Sequence, residues 1–235
     1  MVNSKQDLNK TTYESLASVD TFDAADLKQT EKYIFDKYFK PPGIILDLGC
    51  GAGRTTYALA ERGFIVEAID YSEAMIERAK KKHANLSADI HFKVMNAKHL
   101  EYGDNYFNYV FFSFNGIDYL SAEPERRQAL LEIYRVLKPG GIFAFSSHNS
   151  LFIPNNMRRI LNFFKTALYG KISPYRLEFL KFGRLLTHHI SVKNQIAELK
   201  AIGFEFLKVV SKYSENEKKI SRIDPYPSYV CRKNY

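Results

Sequence analysis

Short apolar runs alternate with amphipathic segments from about residue 26 to residue 211. Leu27, Ile34, Phe35, Tyr38 and Phe39 share one face of a helix over 26–39, which Pro41-Pro42-Gly43 stops. Ile44-Ile45-Leu46-Asp47-Leu48 reads as a buried strand, and a glycine-rich loop separates it from a helix over 54–62. A strand over 64–70, a helix over 72–82 and a strand over 90–95 follow. The strand 109–114 leads into a helix over 123–137, and Pro139-Gly140-Gly141 turns the chain into a fifth strand, 142–147. Strands and helices alternating at these lengths predict a parallel sheet with helices on both faces.

The regularity fails near residue 149. Met157, Ile160, Leu161, Phe164 and Leu168 stand at helical spacing, and a second short helix is expected over 175–182. The pattern resumes over 186–191, then a helix over 192–201, a strand over 204–211 and a last strand over 228–232. The expectation is one domain, 1–235, with four parts. These are a helical cap (1–40), a ligand-binding core (41–148), a lid insertion (149–187) and the C-terminal part of the sheet (188–235).

Composition narrows the class. With 46% apolar and 26% charged residues in a chain of 235, a sizeable core can be buried. Disordered, collagen-like and disulfide-scaffold classes are excluded. No apolar run approaches the roughly 20 residues of a membrane-spanning helix, and the first residues lack an apolar signal segment. Cys50 and Cys231 have no CxxC neighbour, so a cytoplasmic location is expected. Net charge is +8 and uneven: residues 149–235 carry 16 Lys and Arg against 6 Asp and Glu. Such asymmetry points to an anionic partner or a basic, solubilising surface.

The loop Asp47-Leu48-Gly49-Cys50-Gly51-Ala52-Gly53-Arg54 joins the first strand to its helix. Glycines there allow a tight turn and a close approach of ligand to backbone, at a helix N-terminus. A nicotinamide-binding loop would need glycine at 54, where Arg stands. The acid followed by G-x-G-x-G resembles the first motif of class I S-adenosylmethionine (SAM)-dependent methyltransferases. Other segments resemble the same family in the same order: Asp70-Tyr71-Ser72-Glu73-Ala74-Met75, Met95-Asn96-Ala97, Phe114-Asn115-Gly116 and Leu137-Lys138-Pro139-Gly140-Gly141.

The resemblance implies a three-layer, Rossmann-like α/β fold. Its seven-stranded sheet would be mostly parallel with an antiparallel last strand, beside a helical cap and a helical lid. It implies SAM as cofactor, S-adenosylhomocysteine as product, and a cofactor site made by Asp47, Gly49, Cys50, Gly51, Gly53 and Arg54. Asp70 would accept the ribose hydroxyls, and Tyr71 and Met75 would pack against adenine. Asn96, where the family usually has Asp, and Ala97 would meet the adenine edge, with Phe114 and Asn115 beside the methionine moiety. Tyr13 lies in a segment that folds over the cofactor in small-molecule members.

The acceptor is less legible. An amino-group methylase tetrad is missing after the fourth strand, and neither cysteine is placed as a nucleophile. His148, at the end of the fifth strand, and His188 and His189 are the candidate bases. His83, His91 and His99 lack zinc-like companions, no carboxylate cluster has magnesium spacing, and no metal is expected. Residues 151–187 hold 7 Lys and Arg against 1 acid, and Arg158, Arg159 and Arg176 are candidates for meeting an anionic substrate. The expected reaction is methyl transfer to an oxygen or nitrogen of a small anionic metabolite, such as a sugar, nucleotide sugar or natural-product intermediate. The alternatives are an RNA or tRNA methyltransferase, without a recognisable RNA-binding module, and a SAM-binding protein without turnover. No membrane insertion is expected.

Overall fold

Successive side chains of a strand point to opposite faces, and the sheet of this protein uses that alternation to bury both sides. The computed structural model describes residues 3–15, 26–83, 89–120, 123–152, 174–180 and 183–235. In chain order its strands are β1 (Ile44–Leu48), β2 (Ile65–Asp70), β3 (Ile90–Val94), β4 (Phe107–Phe112), β5 (Leu137–Ser146), β6 (Tyr175–Leu180), β7 (Gly183–His188), β8 (Phe204–Val210) and β9 (Ser228–Lys233). Seven of them form one sheet, ordered β3-β2-β1-β4-β5-β9-β8. β1 to β5 pair in parallel, and β9 runs antiparallel to both of its neighbours.

Helices cover both faces. Ile45 and Ala144 point into one core with Ile34 and Phe35 of α2 (Gln29–Tyr38) and Leu59 of α3 (Arg54–Ala60). Leu46, Phe143 and Phe145 point into the other, with Leu130 and Ile133 of α5 (Glu123–Val136), Leu199 of α6 (Val192–Ile202) and Ile220 of α7 (Glu217–Ile223). α4 (Glu73–His83) follows β2, and α1 (Asn3–Tyr13) begins the described chain. The expected three-layer fold is present; β5 starts at Leu137, five residues before its expected start, so Pro139-Gly140-Gly141 lies within the strand and not in a turn before it.

Two expectations are corrected. Residues 175–182 are not helical: β6 pairs antiparallel with β7 in a separate two-stranded sheet. The strand expected over 186–191 starts within that hairpin and not in the main sheet. The reason is a period of two, since Tyr175, Leu177 and Phe179 alternate with Arg176 and Glu178. The usual polarity is inverted, because Leu177 and Phe179 are exposed while Arg176 and Glu178 are half-buried. The short α7 was not anticipated. The helical spacing from Met157 to Leu168 lies outside the described residues.

Asn9 and Thr12 fasten α1 to this hairpin. The Asn9 side chain donates to the Leu186 carbonyl at 3.0 Å and accepts from the Leu186 N–H at 2.8 Å, while Thr12 donates to the Arg184 carbonyl at 2.8 Å.

A buried ionic junction ties β4, α5, β5 and α6 together. After β4, a short 3-10 turn (Gly116–Tyr119) carries Asp118, which is fully buried. Its carboxylate meets Arg126 Nη1 at 2.7 Å and accepts from Ser147 Oγ at 3.0 Å and from the His148 N–H at 2.6 Å. Arg126, also fully buried, continues to Gln195 and Glu198 on α6. Burial alone would raise the Asp118 pKa, but its bond to His148 and the Arg126 charge outweigh it and hold the group below its ordinary value.

A second tie is local. Asp47, the fourth residue of β1, accepts from Thr55 Oγ1 at 2.8 Å and Thr56 Oγ1 at 2.6 Å, pinning α3 to the strand that precedes it. Its other oxygen is buried without a hydrogen-bond partner among the described residues. Burial therefore dominates and pushes the carboxyl from 3.8 up to about 6, the threonine hydroxyls offsetting only part.

Two outcomes follow from these ties. Arg126→Met leaves Asp118 as a buried, uncompensated charge, so urea unfolding should show a loss of about 3–5 kcal/mol. A loss below about 1 kcal/mol would remove the junction from the stability account. For Asp47, the folded chain retains a proton between about pH 4 and 6 that the unfolded chain has released. Its contribution to stability therefore falls as pH rises through that window and is constant above it. Asp47→Asn keeps an acceptor for both threonines, so its stability relative to the parent should rise across that window. Parallel pH curves for the two proteins would refute this.

Candidate active site

The chain runs outward through β1, β2 and β3, then returns to the other side of β1 to form β4. This reversal is a topological switch point, where open α/β sheets bind ligands at the carboxyl ends of their strands. A cavity lies there, walled by the loop after β1, the end of β2, the segments after β3 and β4, and Asn9, Lys10 and Tyr13 of α1.

The loop after β1 makes the floor. Gly49 and Gly51 hold φ of +64° and +55°, in the left-handed region that glycine tolerates best. A Cβ on Gly49 would press into the Phe112 ring, whereas one on Gly51 would meet nothing within 4 Å. The Gly51 backbone therefore faces open space. Its N–H donates to Asp70 Oδ2 at 2.9 Å, and the Ser72 N–H donates to Asp70 Oδ1 at 2.8 Å. These amides hold the carboxylate at the cavity rim. Burial raises the Asp70 pKa, and the amide donors offset part of that rise.

Gly49, Cys50, Gly51, Arg54, Asp70, Tyr71, Met75, Asn96, Ala97, Phe114 and Tyr13 all line the cavity. Asp47, Gly53 and Asn115 do not. Asp47 is consumed by the α3 threonines behind the loop, and Gly53 caps α3 at φ +88°. Asn115 is buried at φ +57° with its N–H donated to Ser146 Oγ at 2.9 Å. Cys50 is buried, and burial pushes its thiol well above the usual range. Asn96 Oδ1 accepts from the Lys98 N–H at 3.0 Å, closing a local turn. Tyr71 stands at the mouth with the Lys10 ammonium 4.8 Å from its ring centre.

Arg54 acts through neighbours the sequence did not signal. Its guanidinium meets both Glu31 oxygens, at 2.6 and 2.8 Å, and the Ser113 hydroxyl also donates to Glu31. Burial would raise the Glu31 pKa, but Arg54 and Ser113 outweigh it and hold the group below its ordinary value. Arg54 and Lys28 both lie over the Phe114 ring, at 4.4 and 3.7 Å from its centre.

On the far side of Tyr119 from this cavity stands a histidine cluster. Tyr119 lines the cavity and packs edge-on against both Tyr13, at 5.2 Å, and His148, at 6.2 Å. His148 Nδ1 is 2.9 Å from Asp118 Oδ2, leaving Nε2 directed elsewhere. None of the three candidate bases lines the cavity. Burial, then the Arg126 charge, lowers the His188 pKa to about 4, so it is a weak base at neutral pH. Burial also lowers His189, against the opposing pull of Glu178. Arg176 lies on β6, half-buried and away from the cavity wall. Arg158 and Arg159 lie outside the described residues, as do residues 16–25 beyond Tyr13. Asp118, Arg126, Glu31 and Glu178 were not singled out by sequence, because each acts through partners distant in the chain.

The glycine floor open at Gly51, the amide-held carboxylate of Asp70 and the apolar wall at Met75 suit an adenosine-bearing ligand such as SAM. No helix among the described residues is long and apolar enough to cross a membrane.

Comparison with known proteins places this geometry. A family profile described as a methyltransferase domain matches residues 45–141. YqeM of Bacillus subtilis is 34% identical over 140 residues, 59% of this chain and 56% of that protein. A ubiquinone/menaquinone biosynthesis C-methyltransferase, UbiE, of Haemophilus ducreyi is 30% identical over 172 residues, 68% of this chain and 64% of that protein. The chain thus spans less than two thirds of the length of these relatives. A SAM-dependent methyltransferase structure from Methanosarcina mazei superposes with a TM-score of 0.70 at 23% identity, covering 89% of this chain and 99% of that one. The chain accordingly has the Rossmann-like fold of that SAM-dependent methyltransferase structure, and its residues 45–141 match the methyltransferase-domain family.

Proposed function

We propose that the protein transfers a methyl group from SAM to a small-molecule acceptor, using the cavity at the switch point for the cofactor and its Tyr119 side for the acceptor. One observation carries the reading. The Gly51 amide and the Asp70 carboxylate form a preorganised pair, beside a loop floor that leaves room for a ligand. The cofactor, when bound, supplies a methyl group made electrophilic by its sulfonium.

The chain's residues bind and orient. Asp70 accepts the ribose hydroxyls with its remaining lone pairs. Tyr71 and Met75 flank the adenine, and Asn96 and Ala97 meet its edge. Gly49, Cys50 and Arg54 line the methionine side, with Phe114 held by the Arg54 and Lys28 cations. Asp47, Gly53 and Asn115 shape the loops from behind. Tyr13, joined to Tyr119 edge to face, closes the cavity from the N-terminal side.

The acceptor end centres on His148. With Nδ1 hydrogen-bonded to a carboxylate that has a low pKa, the neutral ring carries its proton there, and Nε2 keeps its lone pair. Such a group can serve an acceptor that sheds a proton on methylation, a hydroxyl or an amine. His189 assists, and His188, lowered to about 4 by burial, is a weak base at neutral pH. Arg176, together with Arg158 and Arg159, would draw an anionic acceptor to the 149–187 segment. A second reading, transfer to carbon, is favoured by the name of the Haemophilus ducreyi relative. A hydroxylated ring deprotonated at oxygen becomes nucleophilic at carbon, so the same base serves both readings.

Calorimetric titration with SAM tests the cofactor site. Asp70→Ala should bind at least about tenfold more weakly, a loss of about 1.4 kcal/mol, and Gly51→Val should bind more weakly still. Unchanged affinity in a folded Asp70→Ala protein would overturn the ribose assignment. His148→Ala should lower turnover of a hydroxyl, amine or quinol acceptor by about 100-fold while leaving SAM affinity intact. An unchanged rate would return His148 to a purely structural role.

A further inference from the structure

His148, Glu178 and His189 come from three segments: the chain just past β5, strand β6, and the residue after β7. The fold brings one donor atom of each to within 4.8 Å of the others. Glu178 Oε1 stands 3.3 Å from His189 Nε2 and 4.0 Å from His148 Nε2. We propose that these three side chains bind one divalent transition-metal ion of the zinc class, through two imidazole nitrogens and one carboxylate oxygen.

The donor chemistry fits. Two histidines and a glutamate are a zinc set that leaves a fourth position for water or an oxygen of a substrate. Metal–ligand bonds of about 2.0–2.2 Å put ligand atoms about 3–3.5 Å apart, so the cluster needs only to tighten around the ion. Glu178 has the freedom to do so: it is a flexible side chain on the outer hairpin, with about a third of its surface exposed.

The surroundings fit as well. A metal-binding imidazole usually donates its other N–H to a carboxylate, which fixes the ring and its tautomer. Asp118 holds that position at His148 Nδ1, at 2.9 Å, and Arg126 fixes Asp118 in turn. Tyr226 packs edge-on against His148 at 5.2 Å and Tyr119 at 6.2 Å, so two sides of the cluster are walled. The inverted polarity of β6 finds its reason here: the strand turns Glu178 toward the histidines and leaves Phe179 exposed.

The ion would sit behind Tyr119 and take the His148 Nε2 lone pair, so base catalysis by His148 belongs to the metal-free protein. Glu178 acts electrostatically on both Tyr13 and Tyr119, which line that cavity. This placement rests on the proposed methyl-transfer reading, whereas binding of the ion does not.

The test therefore uses neither SAM nor acceptor. The full chain, stripped with chelator, is titrated with Co²⁺ and followed by visible absorption, with the metal-to-protein ratio measured in parallel. One equivalent should bind saturably with a visible band, and Zn²⁺ should displace it. His189→Ala and Glu178→Gln should each weaken Co²⁺ binding at least about tenfold while unfolding cooperatively in urea. His91→Ala should leave binding unchanged, although His91 also stands between two carboxylates, Glu67 and Asp89. If His189→Ala does not fold, Glu178→Gln decides. No saturable binding, binding unaltered in Glu178→Gln, or binding lost in His91→Ala would overturn the proposal. Loss of SAM binding with Co²⁺ binding intact would instead overturn the cofactor reading and leave this one standing.

Discussion

The Asp118 carboxylate has no contact with water, and the cost of burying it is met only because Arg126, Ser147 and His148 all converge on it. Those partners belong to the helix after β4 and to the end of β5, and Arg126 extends the junction to Gln195 and Glu198 on α6. A charge in that position cannot tolerate a vacancy among its partners. The carboxyl end of the sheet is thereby held in one arrangement. The same carboxylate contacts His148 Nδ1 at 2.9 Å, so the group that holds the sheet end together also orients the histidine cluster.

The cavity is framed by two kinds of fastening. Backbone amides hold Asp70, while side chains hold the loops around it: Asp47 through Thr55 and Thr56, and Arg54 through Glu31 and Ser113. Arg54 and Lys28 cap the Phe114 ring, and Arg54 and the Asp70 carboxylate both line the cavity. Segments far apart in sequence are joined beside the wall. Asn9 and Thr12 tie α1 to β7, so the N-terminal helix that carries Tyr13 and the C-terminal hairpin that carries Glu178 are positioned together.

Local patterns made the core legible from sequence. Apolar runs with strand spacing, helices with a periodic face, and glycines flanking an acid are short-range signals, each complete within about a dozen residues. They identified β1, its loop and α3 and the acid at the end of β2, while the family resemblance pointed to eleven residues that line the cavity. The loop could be distinguished from a dinucleotide-binding one because a single position, Arg54, breaks that spacing.

Tertiary structure decided the rest. Whether Asp47 faces a ligand or a neighbouring helix depends on Thr55 and Thr56, which fold back on it, and the acid in the motif says nothing about that direction. The stretch 175–182, expected as a helix, holds a strand over 175–180 because it finds β7 as its partner, with Leu177 and Phe179 facing outward. Asp118, Arg126 and His148, or His148, Glu178 and His189, carry no local signature, since their positions span 30 and 41 residues of chain. Pairing of buried charges is a long-range energetic requirement, and only the folded chain specifies which distant residues satisfy it.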